Sequence, residues 1–194
     1  MNIAMLEELM YQVSGLLLPP VLIIITLLFF YAFFVMGVFA AQFIQRRRNV
    51  GQYQQALNQM KNNELALSDM QGASIIGYRL FNRYQLDRTL NAMDLEVFAL
   101  KALENQRIVT RIAPMLGLVA TMIPMGPALK ALADGNIQGI SENLVIAFAA
   151  VIFGLATASI TFWTVSVKKR WFVSELNDLQ VTLKKSTASG AGAK

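Results

Sequence analysis

The chain has no cysteine and no histidine. It therefore cannot build a zinc site of the usual His/Cys kind, a disulfide framework, or a thiol or imidazole catalytic centre. Charge is also scarce: 15% of the 194 residues are charged against 55% hydrophobic, a balance that points to a membrane protein rather than a soluble domain. The twelve acidic residues lie almost entirely outside the apolar stretches and form no recognisable catalytic pair. No glycine-rich phosphate loop or metal-ligand cluster is present in the sequence either. These absences argue against an enzyme and against a bound cofactor. A net charge of +5 could suggest nucleic acid, but the basic residues gather just beyond the ends of apolar segments instead of along one face.

Three apolar segments are present: Val21 to Phe43, Ile112 to Ala133 and Leu144 to Val167. About 20 helical residues cross a hydrocarbon core of roughly 30 Å, so each is long enough. All but Lys130 of the 17 basic residues fall within 45–111 and 168–194, including Arg46-Arg47-Arg48 and Lys168-Lys169-Arg170. The other side carries Lys130 with Glu7, Glu8, Asp134 and Glu142. By the positive-inside rule the N-terminus is outside and the C-terminus inside.

The predicted fold is an all-α integral membrane protein of three transmembrane helices extended by long cytoplasmic helices. An outer-surface amphipathic helix over 1–18 precedes transmembrane helix 1 over 19–44, with Pro19-Pro20 in its first turn, where prolines are tolerated. A cleaved signal peptide is the competing reading, disfavoured by the missing basic n-region. A cytoplasmic helical domain follows over 45–110, with Asn62-Asn63, Gly72 and Gly77 as breaks and Asp87 as a helix cap. No terminator stands between Leu90 and Ile112, so that helix runs into transmembrane helix 2 over 111–133. An outer loop over 134–142 leads to transmembrane helix 3 over 143–167. Phe172, Leu176, Leu179 and Leu183 then mark a cytoplasmic amphipathic helix over 168–185, before a disordered tail over 186–194.

The two inner spans each divide into faces. In the second, Met115, Leu118, Met122, Met125, Leu129 and Leu132 recur at alternating steps of three and four, while Ala113, Gly117, Ala120, Thr121, Pro124 and Ala128 form a small face. In the third, Leu144, Phe148, Val151 and Leu155 oppose Ala147, Ala150, Gly154, Thr157, Ala158 and Thr161. Small faces serve close helix packing. Hydroxyls within them, here Thr121, Thr157 and Thr161, could instead line a narrow wet path. No ionisable residue lies deep in any span, and a proton or cation path normally needs one. A conducting role thus requires a partner to bring the carboxylate. The other reading is a non-conducting membrane scaffold that packs helices and binds a cytoplasmic partner.

Ile112-Ala113-Pro114-Met115-Leu116-Gly117-Leu118-Val119-Ala120-Thr121 resembles the second-span signature of the MotA/TolQ/ExbB proton-channel family. The three spans, the helical insert and the small-rich third span are similar to its ExbB/TolQ branch. The resemblance implies a homopentamer in the cell inner (cytoplasmic) membrane, enclosing two single-span subunits of the ExbD/TolR/MotB kind that supply a membrane aspartate. It also implies a stator of an ion-driven motor for envelope work or transport. Thr121 matches the pore threonine, and Pro114 and Gly117 match structural positions of the pore helix. Glu142 resembles an acidic residue near the outer end of the third span, and is read either as a point of ion access or as a helix cap. Two departures stand out. Aligned on Gly154-Leu155, Val151 occupies the place of a second pore threonine, unless Thr157 replaces it. That loss of an oxygen ligand favours H+ over Na+. Ile123-Pro124 replaces an aromatic-glycine pair, with Pro127 close behind to kink the helix.

Overall fold

A computed structural model describes residues 3–61, 75–87 and 89–191. Among them the chain is all-helical: α1 (Ile3–Lys61), α2 (Arg79–Leu86), α3 (Ala92–Ala133) and α4 (Ile137–Ala191). Three stretches are long and apolar enough to cross a membrane, Gln12–Met60, Ala92–Ala133 and Ile137–Val181. At 49, 42 and 45 residues each is longer than the bilayer requires, so only part of each meets lipid tails.

The helices are more continuous than the sequence signals suggest. α1 passes unbroken through Pro19 and Pro20, so the separate outer helix over 1–18 and the proline start of the first span are corrected to one helix. The two missing amides free the carbonyls of Gly15 and Leu16, and the rest of the helical ladder carries α1 through them. α1 also continues past Arg46-Arg47-Arg48 to Lys61, because charge changes the solvent a helix prefers and not its backbone. α3 runs from Ala92 into the second apolar segment without a break, with Pro114, Pro124 and Pro127 inside it. Asp87 does not cap α3. It ends α2 and accepts from the amide and hydroxyl of Thr89, bonds that hold its carboxyl below the usual carboxylate range. The first turn of α3 is closed by Asp94, which accepts from the Asn91 amide at 3.0 Å.

The outer loop over 134–142 contracts to a tight turn. The Asn136 amide bonds Ala131 O at 2.8 Å and the Gly135 amide bonds Leu132 O at 3.1 Å, with Gly135 at φ +69°. This is the six-to-one and five-to-two pattern that closes a helix C-terminus on a left-handed glycine. Asn136 then caps α4 by accepting from the Gly139 amide at 3.0 Å. Glu142 is therefore not the cap of this helix. It is exposed within α4 and accepts from Gln138 at 3.0 Å, one turn back. At the far end α4 remains helical to Ala191, through most of the tail expected to be disordered, and 192–194 lie outside the described residues. Asn62-Asn63 and Gly72 also lie outside them; Gly77 is a turn with φ +104°.

The chain divides into two compact units. One comprises Met1–Met36 and Gln106–Trp163, with Val21, Ile25, Ala120 and Ala150 buried together and Phe29 against Phe153 at 4.9 Å. The other comprises Gly37–Asn105 and Thr164–Lys194. Its core joins Tyr53, Tyr78, Leu80, Phe81, Leu95, Leu103, Phe172 and Leu179. Tyr53 stacks on Tyr78 with ring centroids 3.9 Å apart. On the first part of α3 the buried set is Leu95 and Leu103, while Met93, Val97 and Leu100 are exposed.

One ion pair organises this second unit. Glu175 on α4, 1% exposed, accepts from the Arg46 guanidinium on α1 and, at 3.0 Å, from the Leu80 amide at the start of α2. Arg46 in turn donates to Gly77 O at 3.2 Å and lies 4.3 Å from the Tyr78 ring centroid. A Cβ at Gly77 would sit 3.2 Å from the Arg46 backbone, which together with its positive φ explains glycine there. Glu175→Ala leaves the half-buried Arg46 guanidinium without its carboxylate and the buried Leu80 amide without an acceptor. The expected loss is about 3–5 kcal/mol, read by thermal or denaturant unfolding of the purified protein.

Candidate functional site: the seam of the helical hairpin

α3 and α4 are joined by a short turn and therefore return antiparallel, and what lies between them is set by residue size. A Cβ on Gly154 would stand 2.7 Å from the Ala113 carbonyl oxygen and 3.3 Å from Gly117 Cα. A Cβ on Gly117 would meet Val151 Cα at 3.4 Å. Glycine at 117 and 154 thus lets the two backbones touch. Ala113, Gly117, Ala120, Pro124 and Ala128 of α3 and Ala147, Ala150, Gly154, Thr157 and Thr161 of α4 are all buried. The small faces read from the sequence are turned inward within one chain.

The bulky faces point the other way. Met115, Leu118, Met122, Met125, Leu129 and Leu132 are each at least 47% exposed. On α4 the exposed stripe is Val145, Phe148, Ile152, Leu155 and Phe162, again at steps of three and four with Ser159 filling the register. Leu144 and Val151, read as part of that face, are half-buried instead.

The hydroxyls separate into two groups. Thr157 and Thr161 are 0% exposed, inside the seam. Thr161 donates to its own helix, to Thr157 O at 2.8 Å, and meets the hydroxyl of Thr110 on α3 at 3.0 Å. Thr110 was not singled out in the sequence, where it sits in a polar context beside Arg111 and short of the apolar run. Its position could have been found only from the antiparallel register that sets Gly117 against Gly154. Thr121 is not part of this group. It stands one turn past Gly117, half-buried, with its hydroxyl donating to Leu118 O at 2.7 Å. Pro114 follows Thr110 by one turn and cannot supply the amide that the Thr110 carbonyl would otherwise receive. Glu142 lies on the exposed surface of α4, apart from the hydroxyls. Among the described residues no cluster of three or more metal-ligating side chains occurs. What remains is a tightly packed, uncharged seam carrying hydroxyl oxygens, able to accept and donate hydrogen bonds but not to hold a charge by itself.

The sequence model of the MotA/TolQ/ExbB proton channel family matches residues 80–180, from α2 through most of α4 and more than half of the chain. The chain belongs to this family. No curated protein and no solved structure matches it. The matched region contains every residue of the seam, so the seam of this MotA/TolQ/ExbB family member lies within the part that defines membership.

Gly154→Ala drives a methyl into the Ala113 carbonyl and is expected to cost about 1–3 kcal/mol. Gly126→Ala on α3, where a Cβ meets nothing within 4 Å, serves as the control and leaves stability unchanged or slightly raised. Unfolding midpoints of the two variants decide it.

Proposed function

We propose that this chain is the channel and stator subunit of an ion-motive-force-driven motor in the cell inner membrane, closest to the ExbB/TolQ branch. Five copies enclose two single-span subunits of the ExbD/TolR/MotB kind, and the ion is H+ in preference to Na+. The observation that carries this reading is chemical: from Ile112 to Leu129 and from Asn143 to Val167 there is no charged side chain. A membrane ion path needs a titratable group at depth, so the carboxylate comes from the partner and alternates between protonated and ionised forms. Family membership supports the channel role. The three-span pattern supports the branch.

The exposed stripes on α3 and α4 support assembly from several copies. Apolar positions repeating every 3.5 residues are the seam pattern of helices that pack against other helices. Thr121, on the flank of α3 beside the Met115 to Leu132 stripe, is the hydroxyl best situated to face such a partner. Thr157 and Thr161 act from inside the seam. Val151 in place of a second pore threonine removes an oxygen ligand that sodium would need. Glu142, exposed and accepting from Gln138 at 3.0 Å, suits ion access at the outer end.

A second reading has one observation in its favour. The small faces are consumed in packing α3 against α4 within one chain, which is all that a non-conducting scaffold would require. Flux separates the two. In vesicles holding the chain with its single-span aspartate subunit, Thr121→Val is expected to abolish partner-dependent proton flux without changing the assembly's mass. Full flux in that variant overturns the assignment of Thr121, and absent flux in the wild type favours the scaffold.

A further inference from the structure

Two buried polar atoms in the hairpin have no hydrogen-bond partner among the described residues: Thr157 Oγ on α4 and Gln106 Oε1 on α3. Such atoms are rare in native structures and signify a bound water, an ion or a working group. They stand on either side of the Thr110–Thr161 hydroxyl pair. Gln106 is one turn before Thr110 on α3 and Thr157 one turn before Thr161 on antiparallel α4, so the four fall in a file of about 11 Å, two helical turns.

The central pair has more acceptors than protons. The Thr110 hydroxyl can donate to Gln106 O at 2.8 Å or to Thr161 Oγ at 3.0 Å. The Thr161 hydroxyl can donate to Thr157 O at 2.8 Å, to Ala158 O at 3.1 Å or, when Thr110 turns to Gln106 O, across the same 3.0 Å to Thr110 Oγ. Each hydroxyl carries one proton, so the pair can reverse its polarity by rotating two O–H bonds with no heavy atom moving. Reversal of this kind resets a hydrogen-bonded chain after a proton has passed along it.

We propose that Gln106, Thr110, Thr161 and Thr157, bridged by water at Thr157 Oγ and Gln106 Oε1, form a proton wire inside each subunit. The proposal rests on the proton-conducting reading above and assigns the path between the depth of the small-residue seam and its Arg107 end. An excess proton arriving at the Thr157 end forms one O–H bond to a hydroxyl or water oxygen of the chain as that oxygen's own proton passes to the next; Gln106 Oε1, an amide oxygen with no proton to give, accepts from the last water and holds it in place. One O–H bond breaks for each that forms, and a proton leaves to water beside Gln106. Pro114 withholds the amide that would occupy the Thr110 carbonyl, which leaves that oxygen as a further acceptor for the bridging water.

The test uses the chain co-expressed with its single-span aspartate subunit and reconstituted in vesicles with an internal pH dye. Thr110→Val and Gln106→Leu are expected to lower proton flux at least tenfold at unchanged assembly mass, and Thr110→Ser to retain it. Thermal unfolding of Thr157→Val gives a readout independent of flux. A hydroxyl held by water loses its bonds, so the midpoint falls; a dry orphan hydroxyl is relieved by the isostere, so the midpoint rises. Conducting wild type with fully conducting Thr110→Val and Gln106→Leu overturns the wire and leaves the channel reading standing. A raised midpoint for Thr157→Val overturns the hydration on which the wire depends. A wild type that does not conduct overturns both readings.

Discussion

The contact of Gly154 with the Ala113 carbonyl and Gly117 is the constraint on which the hairpin depends. Two helices in an apolar solvent gain nothing from excluding that solvent, so their attraction comes from close backbone packing. The absence of side-chain atoms at 117 and 154 brings α3 and α4 near enough for that packing to act. The same closeness buries Thr157 and Thr161 and brings Thr161 to Thr110. Larger residues at the crossing would move these hydroxyls apart, and the seam would lose its polar file along with its density.

A second consequence follows from turning the small faces inward: the large apolar side chains are left outside. Met115 through Leu132 on α3 and Val145 through Phe162 on α4 have no cover within the single chain. In a membrane such faces meet either lipid or another helix. Their regular alternation of three and four is the spacing by which a helix packs on another helix. The other compact unit solves a different problem. There, in a composition rich in charge, a buried carboxylate on Glu175 ties Arg46, the first turn of α2 and the α4 helix into one polar knot within an aromatic core. An arrangement of helices that separated the pair would leave the Glu175 carboxylate buried without its counter-charge.

The helical class, the three apolar segments, and the division of the inner spans into small and bulky faces were legible in the sequence because each depends on local period and composition. The turn after α3 was less so, although Asp134-Gly135-Asn136 carries the residues that a left-handed closure and an N-cap demand. Reading the polar stretch 134–142 as loop overlooked that a helix needs only one cap. Prolines misled in the opposite direction: Pro19 and Pro20 mark a helix start in water, yet stand within α1, where apolar residues on both sides keep the helix running past two missing amides.

By itself the sequence determined that this protein is helical and membrane-embedded, that its spans carry hydroxyls and no charge at depth, and which residues are small enough to let helices touch. Those properties are carried by single residues and by their spacing along one helix. Only the tertiary structure decided which faces meet. It set Thr161 beside Thr110, buried Thr157 in the same seam and left Thr121 on the flank, and it paired Arg46 with Glu175 across 129 positions of sequence. Such pairings depend on antiparallel register and on contacts between distant segments, and no periodicity within one segment contains them.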